Sequence, residues 1–293
     1  MDLLKPTIDV AFHRLLGSAG NEPVLLDFLN AVLVSSGDHP ATAVEVLNPL
    51  LDARTVTDKA AVLDIRATLA DGRRVNVEMQ VVNQGDWPAR ELYYWARLYA
   101  DQLEAGAAYQ QLLPAITVGV LNFRLWAGDQ FHSTFRLRAD HDPGLLWSDH
   151  LALHTVELRK LPRTARAEDV ALVRWMTFLM DGPASLKEAM AMESPAIRQA
   201  LDTLQTLSYD QELRYIYEAR EKAEHDLASL REEVRRSRVE GRAEGRAEGR
   251  AEGLEEGLAQ LRATARHLLD RGMAPAEVAE VTGLPLADVQ TLK

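Results

Sequence analysis

Two runs of alternating apolar residues, KAAVLDIRATLA (59–70) and RRVNVEMQVVN (73–83), meet at Asp71-Gly72. In each run every second position is apolar, the period of a strand with one buried face. Leu63, Ile65, Ala67 and Leu69 share a face in the first run, and Val75, Val77, Met79 and Val81 continue it in the second. The opposite face carries Asp64, Arg66, Thr68, Arg74, Asn76, Glu78 and Gln80. Loop length decides which of these meet. A two-residue loop at Asp71-Gly72 would set Asp64 against Met79 and force an apolar side chain onto the polar face. A three-residue loop, Ala70-Asp71-Gly72 with Gly72 in the left-handed region, is a common hairpin connection and sets Asp64 opposite Glu78. Directly paired residues have Cβ atoms about 4.5–5.5 Å apart. Two carboxylates that close repel each other unless a cation or a proton lies between them. The pair is thus a candidate metal site; the alternative is the solvated face of a hairpin.

The rest of the N-terminal half supplies the partners such a hairpin needs. Residues 7–16 read as a short helix with Thr7 as N-cap and Ile8, Ala11, Phe12 and Leu15 on one face. Residues 22–35 read as a second helix, with Pro23 in its first turn. A strand is expected at 43–50, then the hairpin, then a long helix over 89–112. Further strands are expected at 117–123, 131–138 and 150–161. The order of elements predicts an α/β or α+β domain ending near residue 162. Residues 166–208 read as wholly helical, with an apolar stripe of Leu172, Val173, Trp175, Met176 and Leu179.

From Tyr209 the chain becomes densely charged. Leu213, Ile216, Ala223, Leu227, Leu230 and Val234 recur at three- and four-residue steps, with Arg220 breaking the seam. Such a seam suits a coiled coil between copies, or a solvated helix lying on its own domain. The tetrapeptide GRAE then occurs three times over 241–252. Arg and Glu two residues apart lie on roughly opposite sides of a helix. They therefore miss the stabilising i,i+4 pairing, and each repeat glycine costs roughly 1 kcal/mol against alanine. Alone, the segment should be a marginal helix or a tether. Residues 261–293 read as three short helices punctuated by Gly272, Pro275, Gly283 and Pro285. The spacing from Ala279 to Gly283 suits a helix-turn-helix. The last helix, LADVQTLK, offers only Lys293 as a base, so a trihelical cap or assembly element fits better than a DNA reader.

Composition removes several chemistries. The chain has 293 residues, no cysteine and a net charge of −11. Thiolate catalysis, disulfides and zinc–thiolate sites are excluded. The acidic balance means that contact with nucleic acid must come from a local patch. The opening MDLLKPTIDVAFHRLL lacks a basic start and an apolar core, and no apolar run approaches the ~20 residues that span a membrane. The expectation is a cytoplasmic protein with no membrane partner. Serine-hydrolase, dinucleotide-binding and P-loop motifs do not occur. His150 and His154, four apart on a strand-like run, read as surface or packed residues, and His13 as structural.

What remains is an acid on one strand and an acid-x-polar triplet on the next. That constellation, with its surroundings, resembles the Rpn group of recombination-promoting nucleases, also called PD-(D/E)xK family transposases. The residues that carry the resemblance are KPTIDVAFHRLLG (5–17), DKAAVLDI (58–65), VNVEMQ (75–80) and RELYYWARLY (90–99). The GRAEG repeats and the closing AEVAEVTGLPLADV also look like family tails, so the likeness covers nearly the whole chain.

The resemblance implies a restriction-endonuclease-like PD-(D/E)xK core over 1–162, a mixed central sheet flanked by helices. An all-helical C-terminal extension follows in the residue reading, divided by composition and helix punctuation as 163–208, 209–257 and 258–293. The resemblance implies a DNA endonuclease linked to recombination or mobile elements. It also implies a divalent cation, usually Mg²⁺, held by Asp64, Glu78 and the backbone carbonyl of Met79. Such a metal generates the attacking hydroxide and neutralises charge on the scissile phosphate. Asp9, in the first helix, would orient the attacking water. Arg90 and Tyr93 or Tyr94 would bind the DNA backbone. The heptad-like seam, read from the residues themselves, adds the expectation of a homo-oligomer through the C-terminal helices. Gln80 stands where the wider fold has lysine. A glutamine positions water by hydrogen bonding but supplies no charge, which predicts a weaker or more metal-reliant enzyme.

Overall fold

A computed structural model of the chain describes residues 3–47 and 65–292. The hairpin has the register of a three-residue loop. Strand β2 (Ile65–Leu69) pairs antiparallel with β3 (Arg74–Gln80), joining Ile65 to Val77, Arg66 to Asn76 and Thr68 to Arg74. Gly72 has φ +89°, the left-handed conformation that this loop requires. Asp64 lies outside the described residues.

Six strands form one sheet in the order β1 (Val44–Val46), β2, β3, β4 (Ala115–Leu121), β8 (Leu151–Glu157), β5 (His132–Phe135). The middle pairs β3–β4 and β4–β8 are parallel and the outer pairs antiparallel, so the sheet is mixed. Strands β6 (Arg138–Ala139) and β7 (Asp142–Leu146) make a separate small hairpin. Every residue of β4 is buried, as expected of a central strand covered on both faces.

One face of the sheet packs on α1 (Asp9–Gly17) and α2 (Glu22–Ser35). The expected apolar face of the hairpin lies here: Ile65, Ala67, Leu69, Val75, Val77 and Met79 are all buried in the main core. Thr7 is not the N-cap of α1. The chain makes a turn from Lys5 to Ile8, the helix begins at Asp9, and Thr7 is buried. The other face, carrying the polar residues of the hairpin, is covered by α3 (Trp87–Ala100).

That helix is shorter than the 89–112 expected. It ends at Ala100 because the chain folds back on itself: the Gln102 side chain accepts from the Leu113 amide and donates to its carbonyl, both at 3.0 Å. The strand expected at 131–138 is split, with β5 ending at Phe135.

The region 166–208 is helical but broken. It contains α4 (Val170–Leu179), α5 (Ala184–Glu193) and α6 (Pro195–Tyr209), interrupted around Pro183 and Pro195. Within α4 the expected stripe is buried at Leu172, Trp175, Met176 and Leu179, and Trp175 meets Phe28 of α2 edge-on at 5.7 Å. Lys187 is buried and closes the C-terminus of α4, donating to the carbonyls of Phe178 and Met180. Burial pushes its amine down to about 8.

The buried histidines His132 of β5 and His154 of β8 stack on the α2 side and approach each other at 3.2 Å between Nε2 and Nδ1. Ser35 bridges His132 to Asp169, while Asp38 holds Arg136 beside His154. His154 is fully buried, and His150 bonds the Tyr99 hydroxyl at 2.8 Å.

By internal contacts the chain divides into Met1–Asp226 and Leu227–Lys293. Helix α7 (Gln211–Asp270) carries the chain from the first unit into the second and contains the GRAE repeats without interruption. The segment is therefore helical, against the propensity of its glycines. In the second unit, Ala265 and Leu269 of α7 pack with Val278 of α8 (Pro275–Thr282), Leu284, and Val289 of α9 (Leu286–Gln290). Gly272 and Gly283 end their helices with positive φ, as their positions in the sequence suggested. Among the described residues, no helix is long and apolar enough to cross a membrane.

Candidate active site

Strand β3 carries Asn76, Glu78 and Gln80 on the face turned to α3 and Met79 on the other. Alternation brings this about: residues two apart share a face. Asn76 and Glu78 are buried, and Gln80, at the strand end, is half-buried. The polar face of the hairpin is thus not solvated.

Helix α3 begins at Trp87-Pro88, with proline in its first turn where a missing N–H costs nothing. Trp87, Glu91 and Leu98 are its buried residues. The helix sits close to the sheet because β4 has glycine beneath it. A Cβ on Gly119 would overlap the ring of Trp87, and Gly119 is the register partner of Glu78.

This close approach sets Arg90 against Glu78. The guanidinium forms an ion pair with Oε1 of Glu78 and lies over the ring of Tyr94, 5.5 Å from its centroid. Tyr94 is four residues after Arg90, so both project from one side of the helix. Tyr93 is 58% exposed and lies outside the cleft that Tyr94 lines. Of the expected DNA-binding residues, therefore, Arg90 is engaged with the candidate metal ligand, and Tyr93 faces solvent.

The cleft is lined by Asn76, Glu78, Trp87, Glu91, Tyr94, Thr117, Val118 and Gly119. Glu91 is a site residue that the motif did not reveal. It is buried, and its carboxyl accepts from the hydroxyls of Thr117 at 3.2 Å and Thr155 at 3.4 Å. Burial pushes its pKa up to about 8, and the negative charge of Glu78 adds to the effect, while the hydroxyls and the Trp87 indole oppose it. Glu91 is therefore protonated at neutral pH. Its signal in the sequence was an acid on the Trp87–Leu98 apolar stripe of an amphipathic helix.

Gln80 adjoins the cleft at the end of β3, and its amide donates to the Val82 carbonyl at 3.1 Å. Backbone groups alternate in direction along a strand. The Gln80 carbonyl accepts from Asn122, beyond β4, so that of Met79 faces the β2 side. Asp9 is half-buried in the first turn of α1, and its carboxylate accepts from the Val10 amide.

A mixed sheet with an acid and an amide on one strand faces a helix that presents Arg and Tyr, an arrangement consistent with a PD-(D/E)XK nuclease fold. A family model for PD-(D/E)XK nuclease family transposases matches residues 6–233. The chain belongs to that family. No curated protein and no solved structure matches it.

For a PD-(D/E)XK nuclease family transposase, membership supports a nuclease or mobile-element role and implies DNA as substrate. The matched segment runs from the loop before α1 into α7, so the sheet, the cleft and helices α1–α6 are all family structure. The distal part of α7 and helices α8 and α9 lie beyond it. Among the described residues, no three acids, histidines or cysteines cluster as a ready-made metal cage.

Proposed function

We propose that the chain is a Mg²⁺-dependent DNA endonuclease, with Asp64 and Glu78 as metal ligands, Gln80 as the residue that positions water and Asp9 as a supporting acid. The observation that carries this reading is Glu78, held on β3 in a covered cleft beside Gln80 and Arg90. The pairing of Ile65 with Val77 also supports it, because that is the register of a three-residue loop, which would set Asp64 against Glu78.

The donors fit a hard cation. Mg²⁺ prefers oxygen ligands and keeps several waters, and Glu78 and the Met79 carbonyl supply oxygens. The buried side-chain oxygen of Asn76, with no hydrogen-bond partner among the described residues, adds a polar acceptor to the same cleft. When bound, the metal would supply Lewis-acid activation of water and of the phosphate. Glu91 stays neutral and adds no second repulsive charge beside Glu78. Arg90, paired with Glu78, would orient that carboxylate and meet a phosphate. Tyr93, exposed on the same helix, would extend that contact along the DNA backbone.

The reading extends to a cytoplasmic protein serving recombination or mobile elements. Copies would associate through the C-terminal helices, where Leu230, Val234 and Val239 of α7 stand exposed on a helix with a heptad-like seam.

Plasmid DNA incubated with Mg²⁺ and purified protein should be nicked or cut, and Asp64→Ala and Glu78→Ala should each abolish the product. Cutting that survived both substitutions would sink the assignment. A second reading is a DNA-binding scaffold that does not cut. It is favoured by Gln80, whose amide is engaged at Val82, and by Arg90, which already neutralises Glu78. That scaffold would bind DNA with equal affinity with or without metal and yield no product.

A further inference from the structure

Parallel strands β3, β4 and β8 reach their carboxyl ends on one line, since Gln80 is in register with Leu121 and Leu121 with Glu157. The segments that leave β4 and β8 therefore emerge beside Gln80. Ligands of open sheets commonly bind at this edge, outside the carboxyl ends of parallel strands.

A buried ion pair governs the segment after β4. Glu157 and Lys160 are paired at 2.8 Å, with side chains only 1% exposed. Such a pair adds little net stability after both charges are desolvated. It does, however, hold both ends of one loop. The second oxygen of Glu157 accepts from the Leu125 amide at 2.6 Å, and Lys160 donates to the Gln130 carbonyl at 3.3 Å. The loop so braced displays Arg124, whose side chain is 60% exposed. Its only ion-pair partner among the described residues is the almost fully exposed Asp129, 3.9 Å away, a contact of little strength.

Arg159, in the short turn after β8, stands beside the same edge. Its Nε donates to the Asn122 carbonyl at 3.2 Å, and the Asn122 amide donates to the Gln80 carbonyl at 2.9 Å. Arg159 is exposed and in no ion pair among the described residues. Tethering through Nε fixes the guanidinium and leaves its terminal nitrogens for a bidentate acceptor.

We propose that Arg124 and Arg159 form a phosphate-binding ledge that holds the DNA backbone next to the reacting phosphodiester. The ledge rests on the DNA-cleaving reading above and assigns a backbone contact that neither the motif nor α3 supplies. Its ligand is a run of phosphodiesters, without base specificity.

The test uses full-length protein, a fluorescein-labelled duplex, and Ca²⁺ in place of Mg²⁺, with binding followed by anisotropy across a KCl series. Arg124→Gln and Arg159→Gln should each weaken binding roughly fivefold to tenfold near 0.1 M salt and lower the slope of log K against log salt by about 0.9. Arg159→Lys should keep the slope but bind more weakly than wild type, because the fork and its tether are lost. Arg97→Gln, at an exposed arginine on α3 paired with Asp101, should change neither quantity. Unchanged affinity and slope in both glutamine variants, with wild type binding DNA, would overturn the ledge and leave the nuclease reading standing. Failure of wild type to bind DNA would overturn both. Matching thermal melts establish that the variants fold.

Discussion

Gly119 lies directly beneath Trp87: a methyl group on the strand residue would occupy the space of the indole. The ion pair of Arg90 with Glu78, one turn along the same helix, depends on this approach. Gly119→Ala should therefore lift α3 from the sheet. Overpacking of this kind costs about 1–3 kcal/mol. We expect a lower urea midpoint together with loss of DNA cleavage out of proportion to the loss of fold. A variant with a normal midpoint and normal cutting would show that α3 does not set the site.

Arg90 and a divalent cation would compete for the Glu78 carboxylate. Arg90→Met removes one competitor and should cost about 1–2 kcal/mol, less than a fully buried pair because 30% of the Arg90 side chain is exposed. Mg²⁺ should then raise the melting temperature of the variant more than that of wild type. Scanning fluorimetry across a Mg²⁺ series reads the difference, and equal shifts would separate the cation site from Glu78.

Glu91 makes stability depend on pH in one direction. Its pKa is raised from 4.5 to about 8 in the folded chain, so between those values the folded state holds a proton that the unfolded state has released. Stability must fall as pH rises through that window, by up to about 1.4 kcal/mol per pH unit. Well above 6.5 the buried histidines are neutral in both states, but Lys187, lowered from 10.5 to about 8, acts in the opposite sense near pH 8 because its amine loses its proton first in the fold. Urea titrations at intervals over that range should give wild type a more negative slope of stability against pH than Glu91→Gln, whose slope is set by Lys187 and is zero or positive.

The His132–His154 pair acts in the opposite sense. Burial, the largest cause for both, lowers His132 to about 4 and His154 to about 3, so each stays neutral in the fold where an unfolded histidine would bind a proton. Asp38 and Asp169 oppose the shift, while Arg136 and Arg166 reinforce it. Stability should fall as pH drops below 6.5 toward 4, and circular dichroism melts on the acid side should show it. His154→Leu should lessen this dependence even if it lowers stability at neutral pH.

The hairpin was legible because strict alternation and Asp71-Gly72 leave only one register that keeps Met79 off the polar face. Helix α2 was legible to the residue, from Pro23 and its apolar spacing. The end of α3 was not, since Gln102 closes on Leu113 through a tertiary contact that local propensity does not register. The breaks in 166–208 were written at Pro183 and Pro195 but were outweighed by the apolar stripe around Trp175. Glu91 escaped notice because the nuclease motif draws attention to strands, whereas its role follows from which face of α3 is buried. The continuous helix through GRAE runs against glycine propensity and the missed i,i+4 pairing of Arg with Glu, terms that act locally. Asp64, the other half of the motif, lies outside the described residues.

The alignment of Gln80, Leu121 and Glu157 has an evolutionary corollary. Three separate stretches of chain leave the sheet at one edge, each from a strand fixed by the same core. Insertions at any of these exits would reshape the surface presented to a substrate while leaving strand pairing untouched. A chain built on this sheet can therefore change what its surface grips without redesigning how it folds.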